Sequence, residues 1–74
     1  MPHVIVKMWP GRSEAQKEKL ADELSKKVIE IIQCPEAAVS VAIEEIAPEE
    51  WDEKMHPEIY GSDTHLYKKP GDSA

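Results

Sequence analysis

The chain has one cysteine, three glycines and no phenylalanine among its 74 residues. A lone cysteine excludes an intrachain disulfide, and the cysteine and histidine spacings match no zinc motif, so we expect no metal. A chain this short buries only about 60% of its unfolded surface. It usually needs disulfides, a bound metal or partner chains for stability. With disulfides and zinc excluded, self-association is the route that is left, and we expect a homo-oligomer.

The sequence also lacks a basic surplus and any long apolar run. Nine basic residues stand against 15 acidic ones, which gives a formal net charge of −6. Nucleic-acid binding would need a basic face. No apolar run has the length of a membrane span, and the N-terminus lacks the basic and apolar segments of a secretory signal. We therefore expect a single cytoplasmic domain over residues 1–74 that binds neither nucleic acid nor membrane.

Two segments are predicted to form β-strands. Residues 3–9 are rich in β-forming side chains, and their alternation puts Val4, Val6 and Met8 on one face, the predicted core face. Residues 38–46 alternate in the same way. A helix between two strands with short links predicts parallel neighbours joined by a right-handed crossover.

The segment between the strands is predicted to be one long amphipathic helix. Ser13 and Gln16 form a capping box at its start, and apolar residues then recur at three- and four-residue steps as far as Gln33. Cys34 precedes a proline, a position that avoids helical backbone, so the helix should end there.

The C-terminal third predicts two shorter elements. A helix should begin at Pro48, with acidic residues in its first turn, and end near Met55, before His56 and Pro57. Residues 64–68 alternate well enough for a short final strand. The predicted fold class is therefore α+β.

Pro2 follows the initiator methionine directly before the first strand. Cells generally remove Met1 before so small a residue, which would leave a secondary amine. An α-amino group titrates at about 7.7–8.0, and apolar burial or nearby cations would lower that pKa further. Such an amine suits a general base near neutral pH. The alternative is that Pro2 merely starts an edge strand, where its missing N–H costs nothing.

Several segments together resemble the 4-oxalocrotonate tautomerase family, over roughly residues 2–51 and without gaps. They are the Met-Pro start before a strand, Gly-Arg-Ser-Glu at 11–14, Gln-Lys at 16–17 and Val-Ser-Val-Ala-Ile at 39–43. The C-terminal half resembles the longer PptA-like subgroup of that family. It does so through Pro-Glu-Glu-Trp at 48–51 and Lys-Lys-Pro-Gly at 68–71.

The resemblance implies the β-α-β tautomerase fold and a cofactor-independent isomerase. Such an enzyme interconverts the enol and keto forms of 2-oxo acids, such as arylpyruvates or 2-hydroxydienoates. Pro2 would be the general base that takes the proton from the enol oxygen and returns it to carbon. Family members assemble as hexamers, or as dimers in the PptA-like subgroup, so the resemblance favours a dimer.

The resemblance also implies roles for three further residues. Arg12 matches an arginine that binds a substrate carboxylate, which a guanidinium can hold through two parallel hydrogen bonds. Trp51 matches an aromatic residue that makes the site apolar and would keep the Pro2 amine neutral. Ser40 departs from the short hexameric members, which carry a charge-stabilising second arginine there. A hydroxyl can hydrogen-bond a carbonyl without supplying charge, which favours a monoacid such as an arylpyruvate enol.

Two other functions stay open. The missing second arginine is compatible with a non-catalytic oligomeric βαβ module for ligand binding or interaction. The same Pro2 amine, if protonated, could instead act as an acid in dehalogenation or decarboxylation. We interpret His3 as structural, because alternation points its side chain away from the core face, and Trp9 as a packing or interface residue.

Overall fold

The computed structural model describes residues 1–61 and 65–71 of the chain. Its elements, in order, are β1 (His3–Met8), α1 (Glu14–Val28), a π-helical turn (Ile29–Gln33), a 3-10 turn (Glu36–Ala38), β2 (Ser40–Glu45) and α2 (Pro48–Tyr60). This is the predicted α+β arrangement, with a strand on either side of one long helix. Within the described residues, no helix combines the length and the apolarity needed to cross a membrane.

β1 and β2 lie side by side as a parallel pair, as predicted. His3 is the register partner of Ser40 at the start of the ladder. Backbone hydrogen bonds extend the pairing at both ends. The Ser40 amide donates to the Pro2 carbonyl at 3.2 Å, and the Ile46 amide donates to the Met8 carbonyl at 2.8 Å. The strands themselves are somewhat shorter than the sequence predicted.

α1 begins with the predicted capping box. The Gln16 amide donates to Ser13 Oγ at 3.1 Å, and the Ser13 amide donates to the Gln16 side chain at 2.9 Å. The last turn widens into the π-helical segment Ile29–Gln33, whose final residue has a φ of 61°. Cys34 is extended, as the residue before a proline should be. The predicted end of the helical segment at Gln33 is therefore confirmed.

The core of the single chain is small. α1 packs against β2 and covers one face of the sheet, where the predicted core face of β1 is half-buried. On the opposite face Ile5 is 53% exposed. Ile46 and Met55 are the buried apolar residues in the described part of the chain, at 5% and 7% exposed. So small a core supports the prediction of self-association, because a domain of this size stabilises itself poorly when alone.

α2 is longer than predicted. The helix passes through Pro57 and ends at Tyr60, whereas the sequence predicted an end before the proline. An interior proline removes one backbone hydrogen bond and costs about 3 kcal/mol, so contacts elsewhere must offset it. Met55 is buried before Pro57, and Glu58 after it accepts a hydrogen bond from Lys7 at 2.6 Å. Tertiary contacts on both sides of the proline thus overrule a local helix-stop signal.

The predicted final strand at 64–68 was wrong for the part that is described. Residues 65–68 form no strand, and Thr64 lies outside the described residues. Alternation stabilises a strand only where a neighbouring strand offers hydrogen-bonding partners, and β1 and β2 pair with each other. The segment lacks such a partner within the described chain.

Candidate active site

The four candidate residues lie in two pairs at opposite ends of β1. Pro2 immediately precedes the strand and is hydrogen-bonded to Ser40, whereas Arg12 and Trp51 line a cleft beyond its last residue. A strand advances about 3.3 Å per residue, so the six residues of β1 separate the two ends by roughly 17–20 Å. The fold brings together the members of each pair, but it does not bring the two pairs together within one chain.

The N-terminal end of β1 holds Pro2 in a defined position. Its carbonyl accepts the Ser40 amide at 3.2 Å, and its side chain is half-buried. Met1 before it is 98% exposed, so the bond between the two residues is open to an aminopeptidase. While Met1 is attached the Pro2 nitrogen is an amide without basicity. Removal of Met1 would leave a secondary amine on Pro2 at the edge of the sheet.

A contact between His3 and Ser40 was missed from the sequence. His3 Nδ1 lies 2.5 Å from Ser40 Oγ, a hydrogen-bonding distance. Alternation correctly placed His3 away from the core face, but a contact also requires the register of the two strands. Because residue 3 is opposite residue 40 in the parallel ladder, both side chains project from the same face. Knowledge of that register is the signal that would have revealed the pair.

The C-terminal end of β1 opens into a cleft of about 620 Å³. Its lining residues are Lys7, Met8, Trp9, Pro10, Gly11, Arg12 and Trp51. Two indole rings and one guanidinium therefore border the same space. Trp9, interpreted from the sequence as a packing or interface residue, is 55% exposed and belongs to this lining. Flat apolar walls beside a cation suit an aromatic group that carries an acid.

Arg12 is a cation without an ion-pair partner among the described residues. The nearby lysines are engaged: Lys7 with Glu58 at 2.6 Å, and Lys17 with Glu14 at 3.0 Å. The hydrogen bonds to these carboxylates raise the pKa of both lysines. Arg12 is the chain's single arginine, is exposed, and forms no ion pair with any described residue. Its guanidinium is therefore available to an anion that enters the cleft.

A glycine turn and a helix cap set the position of Arg12. Gly11 has a φ of 122°, a conformation that L side chains rarely adopt. Ser13 follows Arg12 as the N-cap of α1 and is held by the capping box. Because the backbone is constrained on both sides of Arg12, the position of its Cα at the edge of the cleft is fixed. This turn explains why a glycine and a capping serine flank the arginine.

Comparisons with known proteins place the chain in a family. The family model described as "Tautomerase enzyme" matches residues 2–52, a span that includes all four candidate residues. Tautomerase PptA of Cronobacter sakazakii (strain ATCC BAA-894) is 42% identical over 73 residues, which cover 96% of each chain. A probable tautomerase of Xylella fastidiosa (strain 9a5c) is 38% identical over 72 residues, covering 96% of this chain and 88% of the relative.

Solved structures share the fold. A heterohexameric 4-oxalocrotonate tautomerase from Chloroflexus aurantiacus J-10-fl gives a TM-score of 0.67 at 35% identity, covering 69% of this chain and 82% of that one. TomN, a 4-oxalocrotonate tautomerase homologue of the tomaymycin biosynthetic pathway, gives 0.66 at 34% identity, with 68% and 77% covered. Sequence and fold thus agree on the strand, helix and strand arrangement. The chain belongs to the tautomerase family, with the fold of the 4-oxalocrotonate tautomerase homologues and a resemblance to PptA along nearly its whole length.

Proposed function

We propose that this tautomerase interconverts the enol and keto forms of 2-oxo acids without a cofactor, with the freed Pro2 amine as general base. Membership of the family supports a tautomerase-type activity. The observation that carries the finer proposal is the setting of Pro2. It is held at the start of the sheet by the Ser40 amide, and the residue that blocks its nitrogen is almost fully exposed.

The reaction needs one group that both accepts and returns a proton. The Pro2 nitrogen takes the proton from the enol oxygen, and the electron pair of that O–H bond forms the ketone C=O. The electrons of the enol double bond take the proton back from the Pro2 ammonium at carbon. An α-amine that titrates at about 7.7–8.0 can do both near neutral pH, because neither of its forms is rare there.

The cleft supports a monoacid with a flat side group, such as the enol of an arylpyruvate. Arg12 would bind its carboxylate through two parallel hydrogen bonds, and Trp9 and Trp51 would border the aryl ring. Each chain has only one arginine, so a second carboxylate would lack a guanidinium partner. At the other end of β1, Ser40 can donate a hydrogen bond to a substrate oxygen but adds no charge.

A complete site then needs two chains. Because Pro2 and Arg12 lie at opposite ends of β1, Pro2 of one chain would act on a substrate held by Arg12 and Trp51 of another. We favour a homodimer on the resemblance to the PptA-like subgroup, and a hexamer is the competing assembly. Analytical ultracentrifugation distinguishes the two assemblies. A dimer has about twice the mass of one 8.4 kDa chain, and a hexamer has about six times the mass of one chain.

The first test compares chains that differ at the Pro2 nitrogen. Intact mass establishes that Met1 has been removed, and turnover of an aryl enol acid is then measured. Pro2→Ala should lower kcat/KM by roughly 10²-fold or more, the ordinary contribution of a positioned general base. A matched chain with one extra, uncleaved N-terminal residue should be at least as impaired, because it keeps every side chain but acylates the Pro2 nitrogen.

Two results would contradict the proposal. Undiminished turnover in the extended chain would exclude the Pro2 amine, and no turnover in the native chain would favour a non-catalytic module. The pH profile separates base from acid chemistry. Base catalysis predicts that kcat/KM rises as the free amine loses its proton, whereas dehalogenation or decarboxylation by the protonated amine predicts a fall.

A further inference from the structure

We infer that His3 is a positioning residue for Ser40. Its ring donates a hydrogen bond from Nδ1 to Ser40 Oγ, and this leaves the hydroxyl hydrogen free for a substrate oxygen beside Pro2. The inference rests on the proposed function and deepens it at one position. At this position the chain has a hydroxyl that is hydrogen-bonded to a histidine.

The geometry fixes the pair from the backbone outward. His3 and Ser40 are register partners in the parallel ladder, and the Ser40 amide is bonded to the Pro2 carbonyl at 3.2 Å. The side chains of the two partners then meet at 2.5 Å between Nδ1 and Oγ. One short stretch of ladder therefore places the hydroxyl, the imidazole and the proline within one residue of each other along the sheet.

The direction of the hydrogen bond follows from what the substrate requires. A serine hydroxyl has one hydrogen to donate and two lone pairs that accept. An enolate, a ketone and a carboxylate offer acceptors, so the hydroxyl is useful to them only as a donor. If Ser40 gave its hydrogen to Nδ1, none would remain for the substrate. Donation from His3 to Oγ keeps it available and also polarises the hydroxyl, which strengthens its own bond.

Among the residues of β1 and β2, no charged side chain lies directly beside this pair on its face of the sheet. The charged groups on the same face of the sheet are Lys7 and Glu44, which are register partners four residues further along the strands. α2 reaches this face with Glu58, which is bonded to Lys7. α1 packs on the other face. Once Met1 is removed, the Pro2 amine lies one residue before His3 along the chain.

The kinetic test is a double-mutant cycle with a conservative variant. His3→Ala and Ser40→Ala should each lower kcat/KM roughly 5- to 20-fold, chiefly through kcat, in keeping with the loss of one hydrogen bond. The double variant should lose no more than either single variant, because both remove the same donor. His3→Asn should recover most of the rate, since its amide N–H can reach Oγ from a position close to that of Nδ1.

Matched controls separate positioning from folding. His56→Ala removes a histidine whose ring packs against Tyr60 in α2, and kcat/KM should be unchanged. Intact mass, circular dichroism and ultracentrifugation are recorded for every variant, so that Met1 removal, folding and assembly are known. An additive double variant, or undiminished turnover in His3→Ala, would overturn the inference while the effect of Pro2→Ala on turnover still stands.

A second readout does not depend on turnover. Long-range nitrogen–proton NMR of the imidazole reports which ring nitrogen carries the hydrogen. In the native protein His3 should carry it at Nδ1, and the Nδ1 signal should shift in Ser40→Ala. A His3 ring protonated at Nε2 alone would overturn the inference even in a fully active enzyme. Inactivity of the native chain, by contrast, would overturn the proposed function.

Discussion

The two ends of β1 differ in what they offer a substrate. The N-terminal end presents small polar groups joined in hydrogen bonds, namely Pro2, His3 and Ser40. The C-terminal end presents a cleft of about 620 Å³ with two indoles and the chain's one arginine. Proton transfer suits the first end and carboxylate recognition the second. Under the proposed function, one chain therefore holds both halves of the site without joining them.

The exposed apolar surface fits this division. Ile5 on β1 is 53% exposed, Trp9 just after β1 is 55% exposed, and Ile31 in the π-helical turn is 71% exposed. Side chains of this kind favour burial against a neighbour by roughly 25 cal/mol per Å² of apolar surface covered. A second chain would cover apolar surface of this kind, and it could bring its own cleft to the first chain's Pro2. Stability and function would then depend on the same contact.

The largest effect we predict joins the two ends across chains. Pro2→Ala and Arg12→Ala should each be nearly inactive alone. Refolding them together should restore activity to about a quarter of the native value, because random pairing in a symmetric assembly leaves that share of sites with both residues. The measurement is kcat/KM per site after joint refolding.

The control for this experiment mixes the same two proteins without unfolding, under conditions that prevent subunit exchange, and should show no recovery. Joint refolding that also restores nothing would mean that Pro2 and Arg12 act within one chain. That result would contradict the proposal that a site combines the N-terminal end of β1 from one chain with the cleft of another.

A smaller loss of kcat/KM is expected when the charge at position 12 is kept but the planar guanidinium is removed. Arg12→Lys keeps the charge but cannot form two parallel hydrogen bonds, and kcat/KM for a monoacid should fall roughly 10- to 100-fold, mostly through KM. Lys26→Gln is the matched control, because Lys26 is bonded to Asp22 on the exposed side of α1. An Arg12→Lys enzyme with native KM would mean that the cleft does not bind the carboxylate.

The smallest effect concerns the turn that carries Arg12. Gly11→Ala meets no atom within 4 Å, so its cost comes from the φ of 122° alone and should be about 1–3 kcal/mol of stability. Gly61→Ala is the matched control, because Gly61 has a φ of −71° that alanine adopts without strain. Urea unfolding at one fixed protein concentration measures both, since the stability of an oligomer depends on concentration. Equal stability of the two variants would show that the turn can relax.

Much of the fold was predictable because its signals are local. The capping box at Ser13, the helical spacing as far as Gln33 and the alternation of both strands each depend on a few consecutive residues. The two errors arose where distant contacts decide whether a local signal is followed. Residues 65–68 have no partner strand among the described residues. Pro57 stays inside α2 because Met55 and Glu58 are held by the rest of the molecule.

The candidate site divides in the same way. The identities of Pro2, Arg12, Ser40 and Trp51 came from the sequence, through a resemblance that the family match supports. The roles assigned to them stay predictions. One cleft is lined by Arg12, Trp51 and Trp9, and sequence spacing could not predict this. Trp51 lies 39 positions after Arg12 and reaches the cleft only once β2 has paired with β1.

By itself the sequence determined the order of the strand, helix and strand, the start of α1 and the place of Pro2 at the head of a strand. Periodicity and capping act over a few residues and need no partner. The tertiary structure alone decided the register that sets His3 against Ser40, and the separation of Pro2 from Arg12 by the length of β1. Both depend on the pairing of distant segments, whose free energy comes from contacts that no short stretch of sequence contains.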